Sequence, residues 1–157
     1  VQERDFGFDL IRHFQLDSSI HEMNDSPMPE TPINANSLPF ALVTGASSGI
    51  GKAIAIRLAK DGYPILVHFN QNQAGAESAV SEIKKSGGQA TAIQFDVSDS
   101  DAVEKALADF KEIAVLVNNA GIHSDGLAGM MSDESFDKVL QTNLYGPFYL
   151  MRFCVKL

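Results

Sequence analysis

The chain has 157 residues, 45% of them apolar, with a formal net charge of −8: enough for one modest domain with a core, and too acidic for a nucleic-acid partner. No run is long or apolar enough to span a membrane, and no signal-peptide pattern opens the sequence. The single cysteine, Cys154, excludes an internal disulfide and suits a reducing, cytoplasmic setting, while His13, His21, His68 and His123 lack partners at metal-ligand spacing.

Residues 1–38 differ in character from the rest. They carry two basic and seven acidic residues. Phe6 to Leu16 has a helical pattern, with Leu10, Ile11 and Phe14 on one face. Asn24 to Pro39 is rich in Pro, Asn and Ser and reads as a linker. The chain is therefore divided into an acidic extension and linker over 1–38 and a domain over 39–157.

The domain opens on Phe40-Ala-Leu-Val-Thr44-Gly45-Ala46-Ser47-Ser48-Gly49-Ile50-Gly51. Phe40 to Val43 is an apolar run of the kind that fills a two-sided parallel sheet. Gly45, Gly49 and Gly51 then permit a tight turn and a close backbone approach. From Ile50 the apolar residues take helical spacing: Ile50, Ile54 and Leu58, flanked by Ala55 and Ala59. A glycine turn feeding a helix start directs unpaired N–H groups one way and favours phosphate there.

That helix ends at Asp61-Gly62, where Gly62 suits a left-handed cap. Pro64 to Phe69 is a second strand. A helix over about Ala74 to Ser86 places Ala76, Ala79, Val80 and Ile83 on one face, closed by Gly87-Gly88. Gln89 to Phe95 is a third strand. Asp101 to Phe110 is a short helix with Val103, Ala106, Leu107 and Phe110 inward. Ile113 to Val117 is a fourth strand, apolar throughout and so expected to be buried on both faces. After a loop to Met131, Ser132 caps a helix with Asp133 and Glu134 in its first turn. Its apolar face is Phe136, Val139, Leu140 and Leu144, and it continues past Pro147 to Phe148 and Met151.

Strands alternating with helices define an α/β fold, a doubly wound parallel sheet of Rossmann type, incomplete after the fourth strand-helix unit. Ligands bind such sheets at the carboxyl ends of the strands. The second strand end bears on the cofactor. In NAD-binding folds an acidic residue about 20 positions past the glycines holds the adenosine ribose. Here that place is Phe69, followed by Asn70, Gln71 and Asn72. A carboxylate beside the 2′-phosphate of NADP would cost about 4 kcal/mol at about 4 Å and an effective dielectric near 20. Its absence favours NADP (NADPH) over NAD. No Arg or Lys stands at Ser48 or over 69–73, so Ser47, Ser48 and Asn70 are the neutral donors for that phosphate.

The spacing Gly-x-x-x-Gly-x-Gly differs from the Gly-x-Gly-x-x-Gly dehydrogenase fingerprint. Thr44-Gly-Ala-Ser-Ser-Gly-Ile-Gly51 resembles the glycine motif of the short-chain dehydrogenase/reductase family. Asn118-Asn119-Ala120-Gly121, directly after the fourth strand, resembles a second hallmark of that family, which braces the sheet and borders the ribose and nicotinamide. The resemblance implies that Thr44, Gly45, Ser47, Ser48, Gly49, Ile50 and Gly51 contact the cofactor, as do Asn118, Asn119, Ala120 and Gly121. It also gives Asp96 and Val97 the adenine, Asp96 by side chain and Val97 by backbone; by spacing alone Asp96 is as readily a capping residue.

Asn143, in Gln141-Thr142-Asn143-Leu144, could be a satisfied buried amide. The resemblance instead makes it catalytic, its main-chain carbonyl holding a water in a proton relay. Pro147 has no N–H to offer that carbonyl in a continuing helix, which would leave the oxygen free. Asp125 and the run Met131 to Leu144 look most like the β-ketoacyl-acyl-carrier-protein reductases. The resemblance therefore implies an oxidoreductase that reduces a carbonyl on a small-molecule or acyl-carrier-bound substrate, in a homo-oligomer, with neither membrane nor nucleic-acid partner.

The family's Ser and Tyr-x-x-x-Lys lie on a fifth strand and the next helix. Residues 1–157 do not reach them. Tyr63, Tyr145 and Tyr149 are followed four positions on by Val67, Tyr149 and Phe153. Inactivity of this polypeptide by itself is expected, with a non-catalytic dinucleotide-binding module or a relic as the alternative. Without a fifth strand, Ile113 to Val117 would also form an apolar sheet edge prone to association.

Overall fold

A computed structural model describes residues 38–156. The expected extension, its helical pattern and nearly all of its linker lie outside the described residues. The order is β1 (Phe40–Val43), α1 (Gly49–Lys60), β2 (Ile65–Phe69), α2 (Gln73–Lys85), β3 (Ala90–Gln94), α3 (Ser100–Leu107), β4 (Ile113–Val117), α4 (Asp133–Leu140), and α5 (Gly146–Lys156), with a π-helical segment, Gln141–Tyr145, joining the last two.

The four strands are parallel in the order β3-β2-β1-β4. Val43 is in register with Val67 on one side and Val117 on the other. Strand side chains alternate in direction, and both directions are apolar. Ala41, Val43, Ile65, Val67 and Phe69 meet Ala55 of α1 and Ala76, Ala79 and Ile83 of α2. Leu42 and Leu66 point the other way, to Val103 and Leu107 of α3 and Leu150 of α5. Two cores on one sheet make the partial doubly wound fold expected, with every strand ending at the same side.

Three packing expectations are corrected. On α1, Ala55 is buried and Ile54, Leu58 and Ala59 pack against the core as expected, but Ile50 is 74% exposed and Gly51 is buried. The physical reason is the close approach of Gly51 to the turn before it, which puts the small residues against the sheet. β4 is only half-buried, with Ala114 exposed, because it forms an edge of the described sheet. α4 buries none of its residues: on the expected apolar face, Phe136 of α4 is 53% exposed and Leu144 of the π-helical segment 62%. Among the described residues nothing lies beyond β4 and α4 for these groups to pack on.

Helix starts are handled unequally. Asn72 accepts the Gly75 N–H at α2, Asp99 the N–H groups of Asp101 and Ala102 at α3, and Ser132 that of Ser135 at α4. At α1 Ser48 makes no side-chain capping bond, and the first turn carries no acid.

Candidate functional site

Thr44 ends β1 buried, and its hydroxyl serves three partners. It donates to the Val117 carbonyl (3.2 Å) and accepts the N–H groups of Asn119 and Ala120 (2.9 Å each). Asn119 reaches back, its Nδ2 donating to the Thr44 carbonyl (2.8 Å) and the Gly45 carbonyl (3.3 Å). The two glycine-bearing motifs, far apart in sequence, are thus one hydrogen-bonded unit across the β1 and β4 ends.

Glycine is required in this unit at two places. Gly45 has φ +63°, and a Cβ there would lie 3.0 Å from the Ala120 Cα. A Cβ on Gly51 would collide with the Asn119 amide and the Gly45 carbonyl. With those two in place, α1 starts directly over the turn. Ser48, Gly49 and Ile50 line its exposed rim, with Ser47 half-buried beside them. An uncapped helix start with no acid in its first turn fits the phosphates of a dinucleotide.

His68, next to last in β2, is 2% exposed and joins three strand ends. Its Nδ1 accepts the Gly45 N–H (3.1 Å), its Nε2 donates to the Phe95 carbonyl (2.9 Å), and its ring packs on that of Phe95, centroids 4.0 Å apart. Its own carbonyl takes the Ala46 N–H (2.9 Å). Burial pushes its pKa below the ordinary histidine value, against the pull of the Phe95 carbonyl and the Asp96 carboxylate. The sequence places His68 in the second strand without metal-ligand partners and gives it no role there. The available signal was a lone imidazole among the apolar residues of a central strand. Among the described residues no group of three His, Cys, Asp or Glu could hold a metal ion.

Asp96 follows β3. One carboxylate oxygen accepts the Ser98 N–H (2.9 Å) and hydroxyl (2.6 Å), and the Asn70 side chain also bonds to it. Partial burial acts to raise its pKa, but the Ser98 bonds, Asn70 and nearby His68 outweigh it and hold the carboxyl low. Asp96 is therefore ionised at neutral pH, and the Asn70 amide is engaged with it. Val97 is buried in the second core, leaving its backbone as the group a ligand could meet.

Phe69 stands in the sequence where NAD-binding folds carry their acidic residue. Its side chain is 5% exposed and packs in the first core, so a carboxylate there would be buried rather than presented to a ribose. Asn70, the next residue, is exposed at the strand end.

On the β4 side, Asn118 and Gly121 are exposed, and Asn119 and Ala120 are half-buried in the unit already described. Asn143 binds both backbone groups of Ile122, Nδ2 donating to the carbonyl (2.7 Å) and Oδ1 accepting the N–H (2.8 Å). It lies in the π-helical segment, where the Gly146 N–H reaches the Gln141 carbonyl. Pro147 lacks the N–H that would bond to the Asn143 carbonyl in a regular turn. The candidate residues thus share one side of the sheet: Thr44, Gly45, Gly51, Asn119 and Ala120 in direct contact, Asn70 with Asp96, and Asn143 beside Gly121 and Ile122.

Residues 39–157 match the family model described as short chain dehydrogenase, and the chain belongs to that family. It is 45% identical over 112 residues to a 3-oxoacyl-acyl-carrier-protein reductase of Staphylococcus aureus (strain N315), an alignment covering 69% of this chain and 46% of that protein. It is 40% identical over 116 residues to the versicolorin reductase of Emericella nidulans, covering 71% and 44% respectively. The structure resembles the landomycin C-6 ketoreductase LanV with bound NADP and rabelomycin, at TM-score 0.68 and 30% identity, covering 75% of this chain and 52% of the other. The chain spans about half the length of the curated relatives it matches.

Proposed function

We propose that this chain is the cofactor-binding part of an NADP-dependent reductase that converts a carbonyl to an alcohol, its substrate a 3-oxoacyl thioester. The observation that carries the reading is the interlock of Thr44 and Gly45 with Asn119, which sets the uncapped start of α1 at the common strand end. There the α1 rim holds the pyrophosphate, Asp96 and Val97 take the adenine, and Asn118 to Gly121 border the ribose and nicotinamide. When bound, NADPH supplies the hydride. Asn143 contributes its main-chain carbonyl to a water that relays a proton. The likeness to 3-oxoacyl-acyl-carrier-protein reductases supports the substrate class, and the NADP named with LanV supports the cofactor. A homo-oligomer is part of the same reading.

Equilibrium binding of NADPH and NADH to this polypeptide is the test. Tighter binding of NADPH is expected, and equal affinities or no binding would overturn the cofactor reading. Residues 1–157 contain no Tyr-x-x-x-Lys sequence, so no turnover of a 3-oxoacyl thioester with NADPH is expected from this chain by itself.

A further inference from the structure

Gly45 begins the turn that places the phosphate-binding helix, and its N–H does not pair with another backbone group. It is held by a side chain, the Nδ1 of His68. An N–H partner requires a lone pair on Nδ1. The other ring nitrogen faces the Phe95 carbonyl, an acceptor, and so must carry the hydrogen. Both bonds can form only in the neutral ring with its proton on Nε2. The imidazole therefore ties the glycine turn to the end of β3, beside Asp96, where the adenine is assigned.

We propose that His68 is a positioning residue for cofactor binding: neutral and protonated on Nε2, it holds the Gly45 N–H in the conformation that the phosphate-binding turn requires, and its protonation releases that turn. This rests on the proposed dinucleotide site. An imidazolium has no lone pair for Gly45, so two N–H groups would face each other about 3 Å apart, where they cannot pair. The Gly45 N–H shares its peptide with the Thr44 carbonyl, which is bonded to Asn119; the Gly45 carbonyl, in the next peptide, also takes Asn119 and would be struck by a Cβ on Gly51, so a rotation at Gly45 passes to the start of α1. The backbone bond from Ala46 to His68 survives protonation and keeps the change local. The charged group acting on the ring is the Asp96 carboxylate, which opposes deprotonation; Thr44, Gly45, Ala46 and the other β2 residues bring no ionisable side chain. Burial of the ring keeps it neutral at pH 7.

The test is calorimetric binding of NADP⁺ between pH 7.5 and pH 4 to the unmodified chain and to two variants. His68→Asn puts an amide oxygen near the place of Nδ1, accepts the Gly45 N–H and does not titrate. His68→Leu keeps similar bulk with no acceptor. At pH 7.5 the Asn variant is expected to bind within about threefold of the unmodified chain, and the Leu variant about tenfold more weakly. On acidification the unmodified chain should lose more affinity than the Asn variant, which carries the ligand's own phosphate titration as a control. Equal pH slopes in these two proteins, or tightening of the unmodified chain relative to the Asn variant, would overturn the role of His68 while leaving the dinucleotide site standing. Absence of NADP⁺ binding by the unmodified chain at pH 7.5 would overturn the site, and this inference with it. If the Leu variant does not fold, the slope comparison still decides.

Discussion

The Asn143 amide and the backbone of Ile122 form a closed pair, 2.7 Å from Nδ2 to the carbonyl and 2.8 Å from Oδ1 to the N–H. A side chain that satisfies both backbone groups of one residue fixes the loop after β4 to the π-helical segment. Asn143→Asp would keep the acceptor and turn an oxygen against the Ile122 carbonyl. That variant should lose about 1 kcal/mol of stability, read from urea unfolding. Asn143→Ala should lose a similar amount by leaving both groups to water. An unchanged midpoint in both would show that the pair does not hold the loop.

Asn143 was legible only in part. Its neighbour Pro147 announced a missing helical bond, and the structure has a π-helical segment there. Its side-chain pairing with Ile122 joins residues 21 apart through a loop whose path no local pattern encodes. The four strands and their order of helices were readable because each strand is a short apolar run bounded by turn residues. On α1 the face of Ile54, Ala55, Leu58 and Ala59 was equally readable, but the exposure of Ile50 was not, since hydrophobic spacing includes it while the close approach at Gly51 sets the start of the helix. His68 escaped for a related reason: its partners, Gly45 and Phe95, are backbone groups from two other strand ends, and backbone partners leave no mark in composition.

Thr44 makes a sharp test of the two-motif unit. Thr44→Val preserves shape and removes the oxygen that accepts from Asn119 and Ala120. Two N–H groups in a partly buried place then lack an acceptor. A loss of about 1–3 kcal/mol is expected, with weaker NADPH binding, and Thr44→Ser should recover most of both. Equal stability of the Val and Ser variants would show that the hydroxyl is dispensable.

Cofactor preference should respond at Asn70 and not at Phe69. Asn70→Asp places a carboxylate at the exposed strand end, where it repels a 2′-phosphate and can accept from a ribose. The NADPH/NADH affinity ratio should fall by about tenfold or more, given about 4 kcal/mol for a close like-charge pair at partly screened dielectric. Phe69→Asp should instead lower stability by burying a charge in the first core. A shift in the ratio from Phe69→Asp in a well-folded variant would contradict the inward placement of that ring.

Stability should depend on pH in two separable windows. The folded state holds His68 below its ordinary value of 6.5, mainly through burial. Above that value the ring is neutral both folded and unfolded, and its contribution is complete. As pH falls below it, the unfolded chain binds a proton that the folded chain resists, so stability declines until the lower folded pKa is passed. Asp96, held below 3.8, contributes fully above that value and loses its contribution as pH falls further. Thermal midpoints of the unmodified chain and His68→Asn should therefore diverge between pH 6.5 and pH 4, and those of Asp96→Asn only below it. Parallel curves for His68→Asn would mean that the ring titrates normally when folded.

One side of the described sheet makes the last prediction. Among the described residues β4 has no strand partner on its outer edge, and Phe136, Leu144, Phe148, Met151 and Val155 expose apolar surface on the helical run from α4 to α5. Unpaired edges and contiguous apolar patches both drive association, while the net charge of −8 opposes it only at long range. Light scattering during gel filtration should give this polypeptide by itself a mass above the 17.0 kDa of one chain. Two variants separate the surfaces. Phe148→Glu with Met151→Glu charges the helical face at exposed positions, and Ala114→Lys charges the strand edge. If the helical face dominates, the double Glu variant should shift toward one chain and the Lys variant should not; the reverse pattern would assign association to the edge. A monodisperse 17.0 kDa species in the unmodified chain would refute both routes.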